Sequence, residues 1–162
     1  MKEIKLTKGK VALVDDEDYE RVMAFGKWYF GGRYAQKTAY IGMVNGKRTY
    51  KTLLMHRFIA GDPYKKEVDH RDENKLNNKK SNLRVCIRSQ NKHNVGKFKN
   101  NTSGFKGVCW HKRDKKWVAQ LMNNKKAIAL GYFICPIEAA RAYNAAAILH
   151  HGEFARLNEI PA

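Results

Sequence analysis

The eight residues from Val95 to Thr102, VGKFKNNT, have neither helical nor strand periodicity and carry two lysines. They read as a basic linker, and a linker there limits the fold more than any other feature. The 162 residues divide into a module over 1–94 and another over 103–158, neither long enough for a large single core.

The first module opens with Ile4, Leu6 and Val11-Ala12-Leu13-Val14, interrupted by Gly9, the pattern of a small hairpin. The acids Asp15, Asp16, Glu17, Asp18 and Glu20 follow. Carboxylates in series can form a cation site. They also favour a helix N-terminus through its dipole, and we read them that way, with a helix over Glu17 to Phe25. Strand-like pieces come next: Trp28 to Phe30, Tyr34 to Gln36, Ala39 to Val44 and Arg48 to Thr52, with Asn45-Gly46 a strong hairpin turn. The bases Lys37, Lys47, Arg48 and Lys51, with Tyr40 and Tyr50, can touch phosphates; the conservative reading is a supporting sheet. Leu53 to Ala60 has the pattern of a helix closed by Gly61, with Pro63 soon after.

Between Glu67 and Asn94 lie Glu67-Val68-Asp69-His70, a polar loop, the alternating run Leu83-Arg84-Val85-Cys86-Ile87 and a polar segment with helical potential over Arg88 to Asn94. That is a hairpin followed by a helix. The residue types suit metal-assisted hydrolysis of a phosphodiester. A hard cation such as Mg²⁺ is commonly held by one or two protein oxygens plus substrate phosphate; Asp69 supplies a carboxylate oxygen and Asn91 an amide oxygen. His70, with an unperturbed pKa of about 6.5, can accept a proton from the attacking water, so the rate should rise through pH of about 6 to 7. Asn82 can accept from the other ring nitrogen and fix the tautomer.

At these residues the chain resembles the HNH endonucleases, especially the phage and intron-associated homing type, whose motif is an Asp-His, a later Asn-Leu-Arg and a helical Asn. The resemblance implies a ββα-metal fold, with His70 as general base, Asp69 and Asn91 on the metal and Asn82 orienting His70. His93 is an alternative third letter. Homing-type relatives carry a segment like Met55-His56-Arg57 just before the Asp-His strand, so His56 is a possible accessory to the site, although a histidine on such an apolar segment is more often a packed core residue.

From Ser103 onward, strand candidates at Phe105 to His111, Lys116 to Met122 and Ala127 to Phe133 are joined by short polar loops, 112–115 and 123–126. Alternation puts Trp117, Ala119 and Leu121 on one face and Val118, Gln120 and Met122 on the other. A helix over Pro136 to His150, with Ala139, Ala142, Ala146 and Ala147, suits close approach to a sheet, and Gly152 ends it.

Ser103-Gly104-Phe105-Lys106-Gly107-Val108, Leu130-Gly131-Tyr132-Phe133 and Glu138-Ala139-Ala140-Arg141-Ala142-Tyr143-Asn144-Ala145-Ala146 make this segment similar to the AP2 DNA-binding domain. The resemblance implies a three-stranded antiparallel sheet backed by one helix, the sheet lying in the major groove of duplex DNA. By position it puts Lys106, His111, Arg113 and Gln120 toward DNA. Cys109, Met122 and Ala127 stand where plant relatives have arginine, so base specificity does not carry over.

Charge agrees with a polyanion partner: 32 Lys and Arg face 15 Asp and Glu, a net +17. Twelve of those basic residues fall between Arg84 and Lys126, where Asp114 is the one acid. The cysteines Cys86, Cys109 and Cys135 are scattered and form no Cys-x-x-Cys pair, so no structural zinc is expected. With no signal peptide or long apolar run, a cytoplasmic protein of a phage or its bacterial host is expected, without a membrane partner. The expected whole is an α+β chain with an N-terminal β-rich support, a nuclease core over 53–94 and a DNA reader. Its expected function is a site-directed, double-strand-binding DNA endonuclease using one divalent metal, Mg²⁺ with Mn²⁺ as substitute. The rival is a non-catalytic sequence-specific DNA-binding regulator.

Overall fold

The computed structural model describes residues 1–123 and 126–161. Its chain forms two compact units, Met1–Arg88 and Ser89–Ala162.

In the first unit, β1 (Lys2–Lys5) and β2 (Val11–Val14) form the expected antiparallel hairpin, with Ile4 opposite Ala12. Alternation sends Ile4, Ala12 and Val14 into the core. Helix α1 (Asp16–Ala24) starts behind Asp15 and carries three acids in its first turn, the arrangement its dipole favours. Val22 is fully buried, and Trp28 donates from Nε1 to the Val22 carbonyl at 2.9 Å, satisfying one orphan acceptor at the helix end.

Strands β3 (Tyr29–Phe30), β4 (Ala35–Val44) and β5 (Lys47–Leu54) form one antiparallel sheet in chain order. The separate pieces at Tyr34 to Gln36 and Ala39 to Val44 are a single strand, because Lys37 and Thr38 pair with Leu53 and Thr52. Asn45 and Gly46 both take positive φ (50° and 73°), as a two-residue primed turn requires. Leu53 and Leu54, expected in a helix, are claimed by β5, so α2 shortens to Met55–Ile59. Met55 and Ile59 join Ile4, Val14, Val22, Trp28 and Ala35 in the core.

Strands β6 (Glu67–His70) and β7 (Leu83–Cys86) pair antiparallel, with Asp69 opposite Arg84 and His70 opposite Leu83. The loop between them docks on β2: Leu13 donates to the Leu76 carbonyl at 2.9 Å, and Asn78 donates to the Leu13 carbonyl at 2.8 Å. The acidic cluster also holds this loop, since the Lys80 backbone N–H donates to Asp15 Oδ2 and its ammonium to Glu17 Oε1, both at 2.7 Å.

In the second unit, α3 (Arg88–His93) precedes an antiparallel sheet of β8 (Val108–His111), β9 (Lys116–Asn123) and β10 (Lys126–Phe133), and α4 (Pro136–His151) covers one face. Of the expected 123–126 turn, Asn124 and Lys125 lie outside the described residues. Ala119 and Leu121 are buried with Ala139, Ala140, Tyr143 and Ala147, while Gln120 and Met122 face solvent, as alternation requires. The first strand starts at Val108 rather than Phe105 because a turn comes first: Ser103 Oγ donates to the carbonyls of Phe105 and Val108, and Asn101 Nδ2 to that of Phe105. Residues 95–102 form neither helix nor strand.

Gly107 sits at φ +75°, where an added Cβ would overlap the Tyr143 ring and crowd the Gln120 carbonyl. Positive φ and overpacking together predict that Gly107→Ala destabilises this unit by about 2–4 kcal/mol. Urea unfolding followed by circular dichroism reads the shift.

Candidate active site

Asp69 and His70 are consecutive on β6, so their side chains leave the strand on opposite sides. Both are buried, Asp69 at 2% and His70 at 0% exposure, because loop 71–82 and α2 close over the strand end.

Around His70 stand groups from three other places in the first unit. The His56 ring, on α2, meets it edge-on at 4.9 Å between centroids. Tyr34, just ahead of β4, lies 5.0 Å from His56 and 6.2 Å from His70. Asn78 places its Oδ1 at 3.5 Å from His70 Nε2. An amide oxygen only accepts, so this contact calls for hydrogen on Nε2 and leaves the lone pair on Nδ1. Asn78 is itself fixed, donating from Nδ2 to the Leu76 carbonyl at 3.0 Å and from its backbone to Leu13.

Burial, and then the Lys75 ammonium, push the His70 pKa from 6.5 down to about 4, although Asn78, Asp72 and Asp69 pull the other way. Burial, then His70, push His56 down to about 3. Both imidazoles are neutral at physiological pH. The Nδ1 of His56 is buried with no hydrogen-bond partner among the described residues.

On the other side of β6, Arg84 donates from Nε and Nη2 to Asp69 Oδ2 at 3.1 and 2.8 Å. Lys75 Nζ lies 4.0 Å from Asp69 Oδ1. Asn82, expected to accept from a His70 ring nitrogen, instead braces the loop, and Asn78 faces the ring in its place. The Asn82 Oδ1 accepts from the Asp72 backbone at 3.0 Å, and its Nδ2 donates to Asp72 Oδ1 and the Asn77 carbonyl, each at 2.8 Å.

Sequence reasoning named His70, Asp69, Asn82 and His56 but missed Tyr34, Lys75, Arg84 and Asn78. Arg84 carried a usable signal, since Asp69 and Arg84 fall opposite each other once the hairpin is closed symmetrically. Asn78 carried none, because in sequence it is one polar loop residue among many.

Asn91 and His93 lie on α3, in the second unit. The His93 ring stacks on His151 at 3.6 Å and 8°. His151 donates from Nε2 to the Met122 carbonyl at 3.1 Å. Burial, then His151 and Lys106, push His93 down to about 4, so it too is a packed, neutral ring. Lys106 directs its ammonium to the His93 carbonyl at 2.6 Å. His111 Nδ1 lies 3.2 Å from Asp114 Oδ2, and Arg113 Nε donates to Asp114 Oδ1 at 2.8 Å. Gln120 is exposed on the sheet face opposite α4.

Residues 55–93 match the family model for an HNH endonuclease, and residues 103–152 match the AP2 domain. Over 153 residues, 94% of this chain and 77% of the relative, the sequence is 33% identical to an uncharacterized HNH endonuclease, L560, of Acanthamoeba polyphaga mimivirus. The chain belongs to the HNH endonucleases. It is also 42% identical to protein 3.8 of Escherichia phage T7 over 50 residues, 31% of this chain and 41% of that protein. In this HNH endonuclease the motif hairpin is β6 and β7, the AP2 segment follows it, and DNA is the partner to which both point. Among the described residues, no helix is long and apolar enough to cross a membrane. The cysteines are free thiols, Cys86 buried, Cys109 exposed and Cys135 half-buried.

Among the described residues no three His, Cys, Asp or Glu gather as a metal cluster. A hard divalent cation does not need one, because a single carboxylate and a second oxygen suffice when substrate phosphate completes the shell. Asp69 is a carboxylate of that kind, and the neighbouring Arg84 and Lys75 charges would weaken cation binding until phosphate is present.

Arg84→Ala should cost about 3–5 kcal/mol, because it strands a buried carboxylate, whereas Asp69→Asn combined with Arg84→Met should recover most of that loss. A double-mutant cycle by urea unfolding measures the coupling. Acid should also destabilise the first unit. The unfolded chain protonates His56 and His70 below 6.5, while the folded chain resists until about 3 and about 4. Stability is therefore full above pH 6.5 and falls as pH drops toward 4, by up to about 1.4 kcal/mol per unit for each histidine. His56→Gln should flatten that slope.

Proposed function

We propose that this HNH endonuclease hydrolyses phosphodiesters of double-stranded DNA at preferred sites, with His70 as the general base. One observation carries the reading: a buried, neutral imidazole whose Nε2 faces the fixed Asn78 oxygen at 3.5 Å, which keeps the basic lone pair on Nδ1. A base must be unprotonated and held in one orientation to take a proton in a transition state, and His70 meets both conditions.

In this mechanism Nδ1 of His70 takes the proton of a water as the water oxygen bonds to phosphorus. The bond from phosphorus to the leaving deoxyribose oxygen breaks, and that oxygen leaves with the electron pair. Lys75 and Arg84 place positive charge beside Asp69, where a phosphate oxygen is attracted. Asp69 and, by the motif, Asn91 are the residues that would hold a divalent metal, Mg²⁺ with Mn²⁺ as substitute. When bound, the metal supplies Lewis-acid stabilisation of the leaving oxygen. Asn82 acts by bracing loop 71–82, through which Asn78 is held. The AP2-like unit supplies site preference, with Gln120 and His111 on its sheet, Arg113 in the loop between β8 and β9 and Lys106 in the turn ahead of β8 as the proposed contacts.

His70→Ala should lower plasmid cleavage in Mg²⁺ by about 10²- to 10⁴-fold while leaving DNA binding nearly unchanged. Undiminished cleavage would overturn the mechanism and leave DNA-binding regulation as the better account. Burial and Lys75 move the rising limb of the rate from the pH 6 to 7 expected of a free imidazole down toward about 4. Lys75→Met removes a positive neighbour, so it should shift that limb upward in a single-turnover pH profile.

A further inference from the structure

We propose that the tip of the β4–β5 ribbon is a second DNA-contacting element, which enters the major groove of duplex DNA independently of the AP2-like sheet. The inference rests on DNA being the partner and not on the His70 chemistry.

The sheet that contains the ribbon is three-stranded only at its root, where β3 pairs with Gln36 and Ala35. Beyond that point β4 and β5 continue as a two-stranded ribbon through seven further pairs, from Lys37↔Leu53 to Val44↔Lys47. A bulge between Tyr40 and Gly42 leaves Ile41 without a cross-strand partner, and Gly42 takes φ 120° there. Bulges bend a ribbon and increase its twist. Past this one, three pairs and the Asn45-Gly46 turn form the tip.

The tip does not look like a supporting sheet. Ile41, Met43 and Val44 are 57%, 58% and 55% exposed, and none belongs to a core. Apolar side chains gathered at the end of a projecting ribbon mark a surface that another molecule covers. Charge selects the molecule. Residues 35–54 contain Lys37, Lys47, Arg48 and Lys51 and no acid. Lys51 lies 3.7 Å from Asp62, and Lys37 sits over the Phe25 ring. Lys47 and Arg48, beside the turn, have no acidic partner among the described residues. Met43 pairs with Arg48 and Val44 with Lys47, so each face of the tip presents one apolar and one cationic side chain.

That composition fits a groove of duplex DNA, with cations reaching the phosphates on both walls and apolar side chains meeting thymine methyls at the base edges. The dimensions agree. Three pairs at about 3.4 Å each extend about 10 Å, and the major groove, about 12 Å wide and 8.5 Å deep, admits a two-stranded ribbon. The ribbon is also stiffly joined to the candidate active site, because β5 ends at Leu54 and α2 begins at Met55, one residue before His56. The Tyr40–Tyr50 pair, edge-on at 5.6 Å, braces the ribbon below the bulge.

The test measures binding of the full chain to linear duplex DNA without metal, by fluorescence anisotropy over a range of KCl. Lys47→Ala with Arg48→Ala should reduce the slope of log affinity against log salt by about 2, since each released phosphate contact is worth about 0.9. Lys47→Arg with Arg48→Lys should keep the slope. Met43→Ser with Val44→Ser should weaken binding with little change in slope, and should abolish any ribbon-dependent protection of guanine N7 from dimethyl sulfate. An unchanged slope in the alanine variant, with wild-type binding intact, would overturn the proposal. So would dissociation of a wild-type dimer by the serine variant, which would make the tip a self-association surface. Loss of cleavage in His70→Ala bears on the catalytic reading alone, and a wild type that fails to bind duplex DNA would sink both.

Discussion

Two backbone hydrogen bonds at Leu13, one donated by its N–H to the Leu76 carbonyl and one accepted by its carbonyl from the Asn78 N–H, hold the β6–β7 loop on the N-terminal hairpin, and the candidate site depends on them. They fix Leu76 and Asn78 against β2, and Asn78 then presents its amide oxygen to His70. Without that docking, a loop of twelve mostly polar residues would have no reason to bury an asparagine to 1% exposure. The acidic start of α1 strengthens the same contact by binding Lys80 twice over. The N-terminal strands and helix are thus part of the scaffold that orients the proposed base.

The electrostatics of the first unit follow from where burial falls. A chain of net charge +17 suits a polyanion, yet its proposed base must stay uncharged to accept a proton. Burial achieves this, and Lys75 adds to it. Asp69, on the opposite side of the same strand, stays compatible with burial because Arg84 neutralises it in a two-pronged contact. The neutral and charged halves of the site come from consecutive residues of one β-strand, which directs adjacent side chains to opposite faces.

The second unit is organised by small residues. Alanines along α4 bring its backbone close to β9, and Gly107 leaves room for the Tyr143 ring. That packing leaves the far face of the sheet to solvent, with Gln120 and Met122 on it. The His93–His151 stack holds the half-buried ring of His93 on α3 against the end of α4.

By itself the sequence determined a great deal. Strand alternation located every strand of the AP2-like sheet to within a few residues, and the Asn45-Gly46 turn was explicit, because local periodicity and turn chemistry are written in consecutive positions; the nuclease family was legible through the resemblance carried by residues 55–93. Tertiary structure alone decided the rest. It turned Leu53 and Leu54 from helix to strand, since pairing with Lys37 and Gln36 outweighs a short helix's propensity. It also brought Tyr34, His56 and Asn78 to His70 from three distant segments. And it lowered the histidine pKa values, because burial depends on which chain segments close over a ring, and no single stretch of sequence records that.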